Sequence, residues 1–187
     1  MPLIAGMTMS LDGYVNDQQG SVKELFPDLE SLPDSEDMAR TIAGTGAVLM
    51  GRRAFEMGDP DSFVGNYEFQ VPIFVVTHHP PAVAPKQDEH LTFTFVTDGI
   101  ESAVRQAQAA AGDRDVQVIG GASVIRQLLA AGLVDELAID VMPVFLGGGV
   151  RLFDETDLSS AASLEKVEVT EFGKRTSFRF RVTPGRS

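Results

Sequence analysis

The chain contains no cysteine, which removes disulfides, thiolate catalysis and zinc–thiolate sites together and fits a reducing compartment. Its three histidines have no spaced partner carboxylate, so no metal site is expected. Basic residues are few, 15 Lys and Arg against 27 Asp and Glu, giving a formal charge of −12. A surface so acidic does not attract phosphate backbones or anionic membranes, so neither nucleic acid nor membrane is an expected partner. Any phosphate site has to be local. No run approaches the ~18 apolar residues of a spanning helix. The opening Met1-Pro2-Leu3-Ile4-Ala5-Gly6 lacks a basic stretch and reaches Asp12 too soon for a signal segment, and a cytoplasmic protein is expected. Several phosphate and nucleophile motifs are missing too. No Gly-x-Gly-x-x-Gly follows a strand-like run. The segment from Gly46 to Gly51 has P-loop glycine spacing, but Arg52-Arg53 stand where Lys-Ser/Thr belongs. No serine sits in a Gly-x-Ser-x-Gly elbow.

What is present suits one α/β domain spanning 1–187, with 43% apolar residues to build its core. Strand-length apolar runs recur at 3–9, 47–50, 73–77, 93–96, 116–119 and 137–142, and helical spacing separates most of them, which favours a largely parallel, covered sheet. Helices are expected over 35–44, ending near Gly44 as the residue past the helix, after a capping box at Asp98-Gly99-Ile100-Glu101, and around Val124, Ile125, Leu128 and Leu129 up to Gly132. Leu137, Ile139 and Val141, and later Phe178, Phe180 and Val182, alternate with polar or small residues and read as half-buried antiparallel strands. Gly173-Lys174 closes a hairpin between 164–172 and 176–182. Residues 12–33, rich in Asp, Gly, Gln and Ser, form a long loop over one end of the sheet.

Two strand-to-helix junctions carry glycine: Gly51-Arg52-Arg53 after Ala47-Val48-Leu49-Met50, and Gly120-Gly121-Ala122-Ser123 after Val116-Gln117-Val118-Ile119. A helix start exposes backbone N–H groups without internal partners, and glycine admits a phosphate to the backbone. Arg52-Arg53 reads either as a solvated pair or as a phosphate clamp, which arginine's planar fork suits. Gly120-Gly121 reads as a tight turn or a cradle. Gly147-Gly148-Gly149 is a plain loop, and His78 and His79, past the strand-like 73–77, read as solvent-facing.

The ordered fragments Met9-Ser10-Leu11-Asp12-Gly13, Leu49-Met50-Gly51-Arg52-Arg53-Ala54-Phe55-Glu56, Val75-Val76-Thr77, Val118-Ile119-Gly120-Gly121-Ala122, and Asp135-Glu136-Leu137 leading to Pro143, Leu146, Gly147 and Gly149 resemble the dihydrofolate-reductase-like superfamily. They are most similar to the C-terminal reductase domain of the riboflavin-biosynthesis deaminase-reductase and to small stand-alone bacterial proteins of that type. The resemblance covers nearly the whole chain. It implies a three-layer α/β sandwich with a central mixed, mostly parallel sheet and a C-terminal antiparallel hairpin. It also implies NADP(H) as cofactor, bound by Gly51, Arg52, Arg53, Thr77, His78, Gly120, Gly121, Ala122, Ser123 and Val124, with Asp12 on the substrate side near the proton route. A homodimer is expected, with Phe178, Phe180 and the Phe145-Leu146 loop supplying apolar surface. The expected activity is NADPH-dependent reduction of a small polar or heterocyclic substrate. Dihydrofolate reduction, or NADPH binding without turnover, are the alternatives. Three departures matter: Ala54 replaces a frequent threonine, which removes a hydroxyl contact but keeps the backbone N–H so that cofactor binding should survive; Ile119 stands where the riboflavin-pathway reductase typically has glutamate; and Ser35, flanked by Asp34, Glu36 and Asp37, stands where true dihydrofolate reductases keep their pterin-binding acid.

Overall fold

The computed structural model describes residues 1–31, 35–154 and 158–185. The chain folds as β1 (Leu3–Ser10), α1 (Glu36–Gly44), β2 (Thr45–Gly51), α2 (Arg52–Phe55), β3 (Ile73–Val76), β4 (Phe93–Val96), α3 (Ile100–Ala111), β5 (Asp115–Ile119), α4 (Ala122–Ala130), β6 (Glu136–Met142), β7 (Ala162–Phe172) and β8 (Arg175–Pro184). Short 3-10 turns occupy Lys23–Leu25 and Pro60–Ser62. One eight-stranded sheet runs β4-β3-β2-β5-β1-β6-β8-β7. All pairings from β4 to β6 are parallel, and β8 is antiparallel to both β6 and β7. This is the mixed, mostly parallel sheet with a terminal hairpin that the sequence implies.

Central strands buried on both faces read as unbroken apolar runs, and every residue of β2 is buried. One face packs under α3 and α4, where Ala103, Val104, Ala107, Ile125, Leu128 and Leu129 meet Leu3, Leu49, Val116, Val118 and Leu137. On the other face Val48, Met50, Ile73 and Val75 join a cluster of aromatic rings, with Phe55 edge-on to Phe93 and Phe95. Helix α1 belongs to this second face but contains no buried residue. Its Met38 and Ile42 only lean on the cluster, because a cavity lies between the helix and the sheet.

Four local expectations are corrected. β6 is antiparallel only to β8; its other neighbour is β1, in parallel register from Ile4↔Glu136 to Ser10↔Met142. Alternation alone cannot tell these apart, because it reports which face is buried and not the direction of the neighbour. Gly44 is the last residue of α1, and Thr45 caps it, its hydroxyl donating to the Thr41 carbonyl at 2.6 Å. No capping box starts α3: Gly99 is the cap at φ +106°, without a side-chain hydrogen bond. The hairpin's first strand begins at Ala162, ahead of the expected 164, and pairs through to Phe172↔Arg175 around Gly173. Residues 12–31 do form mostly loop, with Leu25 fully buried as an anchor, while Pro33 and Asp34 lie outside the described residues.

Candidate active site

The cavity encloses about 1210 Å³, above the roughly 300–1,000 Å³ typical of a single small-ligand site. It has two compartments made in different ways.

The first lies beyond the C-terminal ends of β2, β3, β4 and β5, where open parallel sheets bind ligands. Helices α2, α3 and α4 all start here, from Gly51, Gly99 and Gly121, and none has a side-chain cap. The free N–H groups at these starts face one groove, and α3 and α4, of 12 and 9 residues, add the positive ends of their dipoles, each equivalent to about half a charge. By contrast, α1 is capped by Ser35, whose Oγ accepts from Met38 N–H at 3.2 Å. The two glycine junctions touch: Gly51 N–H donates to the Gly120 carbonyl at 3.4 Å. A Cβ on Gly121 would lie 3.4 Å from the Gly51 backbone, and one on Gly120, at φ +80°, would lie 2.8 Å from the Ala54 methyl. Glycine is thus required by backbone conformation as well as by space. All ten residues expected to bind cofactor, Gly51, Arg52, Arg53, Thr77, His78, Gly120, Gly121, Ala122, Ser123 and Val124, line this compartment.

The two arginines differ. Arg52 Nε is held at 2.7 Å by Glu56 one turn on, whereas Arg53 has no ion-pair partner among the described residues. Thr77 is buried and its hydroxyl shapes the turn, accepting from His79 N–H at 3.1 Å, which leaves His78 exposed.

The second compartment is walled by side chains. Its floor is the sheet face carrying Ile4, Gly6 and Thr8 from β1, Gln117 and Ile119 from β5, Ala138 and Asp140 from β6, and Ser177 and Arg179 from β8. Helix α1 and the 15–29 loop form its walls. Arg175, 2% exposed, ties the loop to the floor: it bonds Asp28 at 2.8 Å, Asp140 at 3.0 Å and Thr8 Oγ1 at 2.8 Å, and its guanidinium lies over the Phe26 ring. The Arg175 guanidinium holds the Asp28 carboxyl below its usual range. Every arginine of this compartment faces carboxylate: Arg40 meets Asp37 at 3.0 Å, and Arg179 meets Glu136 at 3.7 Å and Asp37 at 4.0 Å. Sequence reasoning missed this network. Its members are scattered from Thr8 to Arg175 on four separate elements, and only the cross-strand register Thr8↔Asp140↔Ser177 brings the floor residues together.

Asp12 is not among the cavity-lining residues. Its carboxylate accepts from the Ser10 hydroxyl, from Gly147 N–H at 2.8 Å and from Leu146 N–H at 3.1 Å. These bonds, the Ser10 hydroxyl foremost, lower its pKa to about 2. Ionised at neutral pH, Asp12 pins two loops together, its carboxylate holding the segment around residue 12 to the backbone of Leu146 and Gly147. Glu36 and Asp37, the described carboxylates beside Ser35, line the cavity. No group of His, Asp and Glu among the described residues could hold a metal ion, and no described helix is long and apolar enough to cross a membrane.

Comparison with known proteins agrees with this architecture. Residues 2–178 match the family described as the RibD C-terminal domain, and the chain belongs to that family. Two Bacillus subtilis (strain 168) relatives, the uncharacterized proteins YwjB and YyaP, are 27% identical over 93% of this chain and 94% of YwjB, and 26% identical over 91% of this chain and 88% of YyaP. A Shewanella sp. PV-4 structure provisionally assigned to riboflavin biosynthesis superposes with TM-score 0.77 at 23% identity, over 98% of this chain and 99% of that one. The Thermotoga maritima diaminohydroxyphosphoribosylaminopyrimidine deaminase/5-amino-6-(5-phosphoribosylamino)uracil reductase gives 0.71 at 16% identity, over 96% of this chain and 56% of that one. Dihydrofolate reductase from Enterococcus faecalis, complexed with NADP(H), gives 0.63 at 20% identity over 97% and 96%. At these identities the structural likeness speaks for the fold.

Proposed function

We propose that this member of the RibD C-terminal domain family is an NADPH-dependent reductase of a small, uncharged or weakly polar heterocycle. One observation carries the reading: the uncapped starts of α3 and α4 and the Gly51 junction converge on a glycine-lined groove that opens into a compartment walled by side chains. In this reading Gly120 to Val124 and the start of α4 hold the pyrophosphate, Arg53 meets the phosphate on the adenosine ribose, and Thr77 and His78 border the adenosine. The bound nicotinamide supplies the hydride. The chain's own residues orient the two ligands and shield them from water. Asp12 contributes at a distance, by fixing the loop at Gly147.

The phosphoribosylated pyrimidine reduced by the Thermotoga maritima relative is expected to be a poor substrate. Its phosphate needs a free cation, and Arg40, Arg175 and Arg179 are already paired with carboxylates. Ile119 also offers it no hydrogen bond. For the assembly, β7 is an edge strand exposing Leu164, Val167 and Val169, and Phe145 is exposed nearby in sequence to the cavity loop. Unpaired edges of this kind favour pairing with a second copy, and a homodimer mass by light scattering is the expected result. Phe178 and Phe180, by contrast, are half-buried and stack on each other.

Calorimetry with NADPH and NADH, followed by nicotinamide absorbance in the presence of pterins, pyrimidines and quinones, tests the assignment. Binding with oxidation supports a reductase, and tight binding without oxidation by any compound favours a non-catalytic NADPH-binding protein. Absence of NADPH binding overturns the reading.

A further inference from the structure

Gln117 lies in the middle of β5, between Val116 and Val118, which face the α3–α4 core. The strand's alternation turns it to the opposite face, where it pairs in register with Ile4 of β1 and Val48 of β2 and lines the cavity beside Ile119. It is 4% exposed, and its carboxamide has no hydrogen-bond partner among the described residues. Three other buried polar residues of the cavity are engaged: Thr8 by Arg175, Ser35 by the α1 backbone, Thr77 by its turn. The carboxamide is not sealed off: among the described residues the buried side-chain polar atom without a partner is the Tyr67 hydroxyl, whereas the polar atoms of Gln117 are open to the cavity and to whatever fills it. Apolar residues of the same volume would fill this position at lower cost.

We propose that Gln117 is the specificity-determining residue of the substrate compartment, its carboxamide reading a secondary-amide edge, an N–H beside a C=O, on a flat uncharged ring. A glutamine side chain offers one acceptor and one donor side by side, the complement of a lactam. Around it Ile4, Ile119 and Gly6 supply apolar or vacant floor, and the arginines nearby are neutralised by Asp37, Glu136 and Asp28. A slot of that composition favours a neutral ring and rejects an analogue that cannot return the bond. The proposal deepens the reductase reading, since it concerns the substrate end of the same site.

The test uses lumazine, a bicyclic dilactam, and its 1,3-dimethyl derivative, which lacks both N–H groups, titrated by fluorescence in the absence of NADPH. Wild-type protein is expected to bind lumazine at least ten-fold more tightly than the dimethyl compound, and Gln117→Met is expected to abolish the preference. The same variant, without ligand, is expected to melt at the wild-type temperature or above it, because the carboxamide makes no side-chain bond among the described residues that methionine would lose. A preference that survives in Gln117→Met, a wild-type protein that binds neither probe at millimolar concentration, or a variant that melts lower with ligand binding unchanged would each overturn the role. NADPH calorimetry on both proteins separates the two readings. Loss of NADPH binding in the wild type sinks the cofactor assignment, and the lumazine comparison stands or falls without it.

Discussion

The two compartments of one cavity are built on opposite principles. At the strand ends the groove is made of backbone: glycines that touch, helix starts left open, and little side-chain chemistry beyond Arg53. Over the sheet face the compartment is made of side chains, with Arg175, Asp28, Asp140, Thr8 and Ser177 locked to one another and α1 closed by its own serine cap. A backbone site fits a ligand that is the same in every relative. A side-chain site can be rewritten residue by residue, which is how one fold accommodates different substrates.

The sharpest way to break this contrast is Arg175→Met. Losing the cation leaves Asp28 and Asp140 facing each other across Thr8, and removing one partner of a buried ion pair costs about 3–5 kcal/mol. Urea unfolding should show that loss, with NADPH affinity in the surviving folded protein little changed. A stability near wild type would mean the network is ornamental to the fold.

Next comes Gly120→Ala. The added methyl meets the Ala54 methyl at 2.8 Å and the residue must keep φ near +80°, a combination expected to cost about 1–3 kcal/mol. Here the weakening should fall on NADPH binding as well as on thermal stability. Gly121→Val belongs to the same class: at φ +89° a branched residue strains the backbone itself, so the fold and the cofactor site should suffer together.

Arg53→Ala sharpens the comparison, since it removes the groove's unpaired side-chain cation. NADPH affinity should fall about ten-fold, equivalent to about 1.4 kcal/mol, with NADH affinity unchanged. Arg52→Ala should do less, because Glu56 already occupies that guanidinium. Equal loss for both cofactors in Arg53→Ala would move the ribose phosphate elsewhere.

The smallest effect is a pH dependence outside both compartments, at the contact between Asp12 and the Leu146–Gly147 loop. Asp12 has a folded pKa of about 2 against 3.8 for the free residue. A carboxyl depressed in the folded state adds stability above its unfolded pKa, and that contribution disappears as the pH falls from about 4 to about 2. The melting temperature of Asp12→Asn should therefore approach that of the wild type across this interval. Parallel curves from pH 5 to 2 would show that the Ser10 and Gly147 bonds do not depend on the charge.

The sequence revealed these two halves unequally. Gly120 and Gly121 mark the groove because a positive φ that glycine alone tolerates readily is written at the position itself, while Gly51, in ordinary extended backbone, is kept small by Val124 3.1 Å from where a Cβ would lie. The parallel strands were likewise legible as apolar runs. The direction of β6 was not, since its alternation is the same whichever way its neighbour runs. Nor was the Arg175 network: Arg175 opens β8 directly after the Gly173-Lys174 turn, and nothing within ten positions hints that it is buried against Asp28. Gln117 was equally silent inside an otherwise apolar run, where one glutamine reads as noise until the register places it over a cavity. Asp12 drew notice through its motif, but its bonds to Leu146 and Gly147, more than 130 positions away, could not be read from it.

β1 has a consequence for how this chain comes to be assembled. It lies between β5 and β6, and the Leu3 N–H donates at 2.7 Å to the Asp135 carboxylate, 132 positions further along. Contacts this remote are slow to form, because the entropy of closing the intervening chain is spent before any pairing rewards it. During synthesis the strand that divides the sheet must wait, solvent-facing, until both of its neighbours exist.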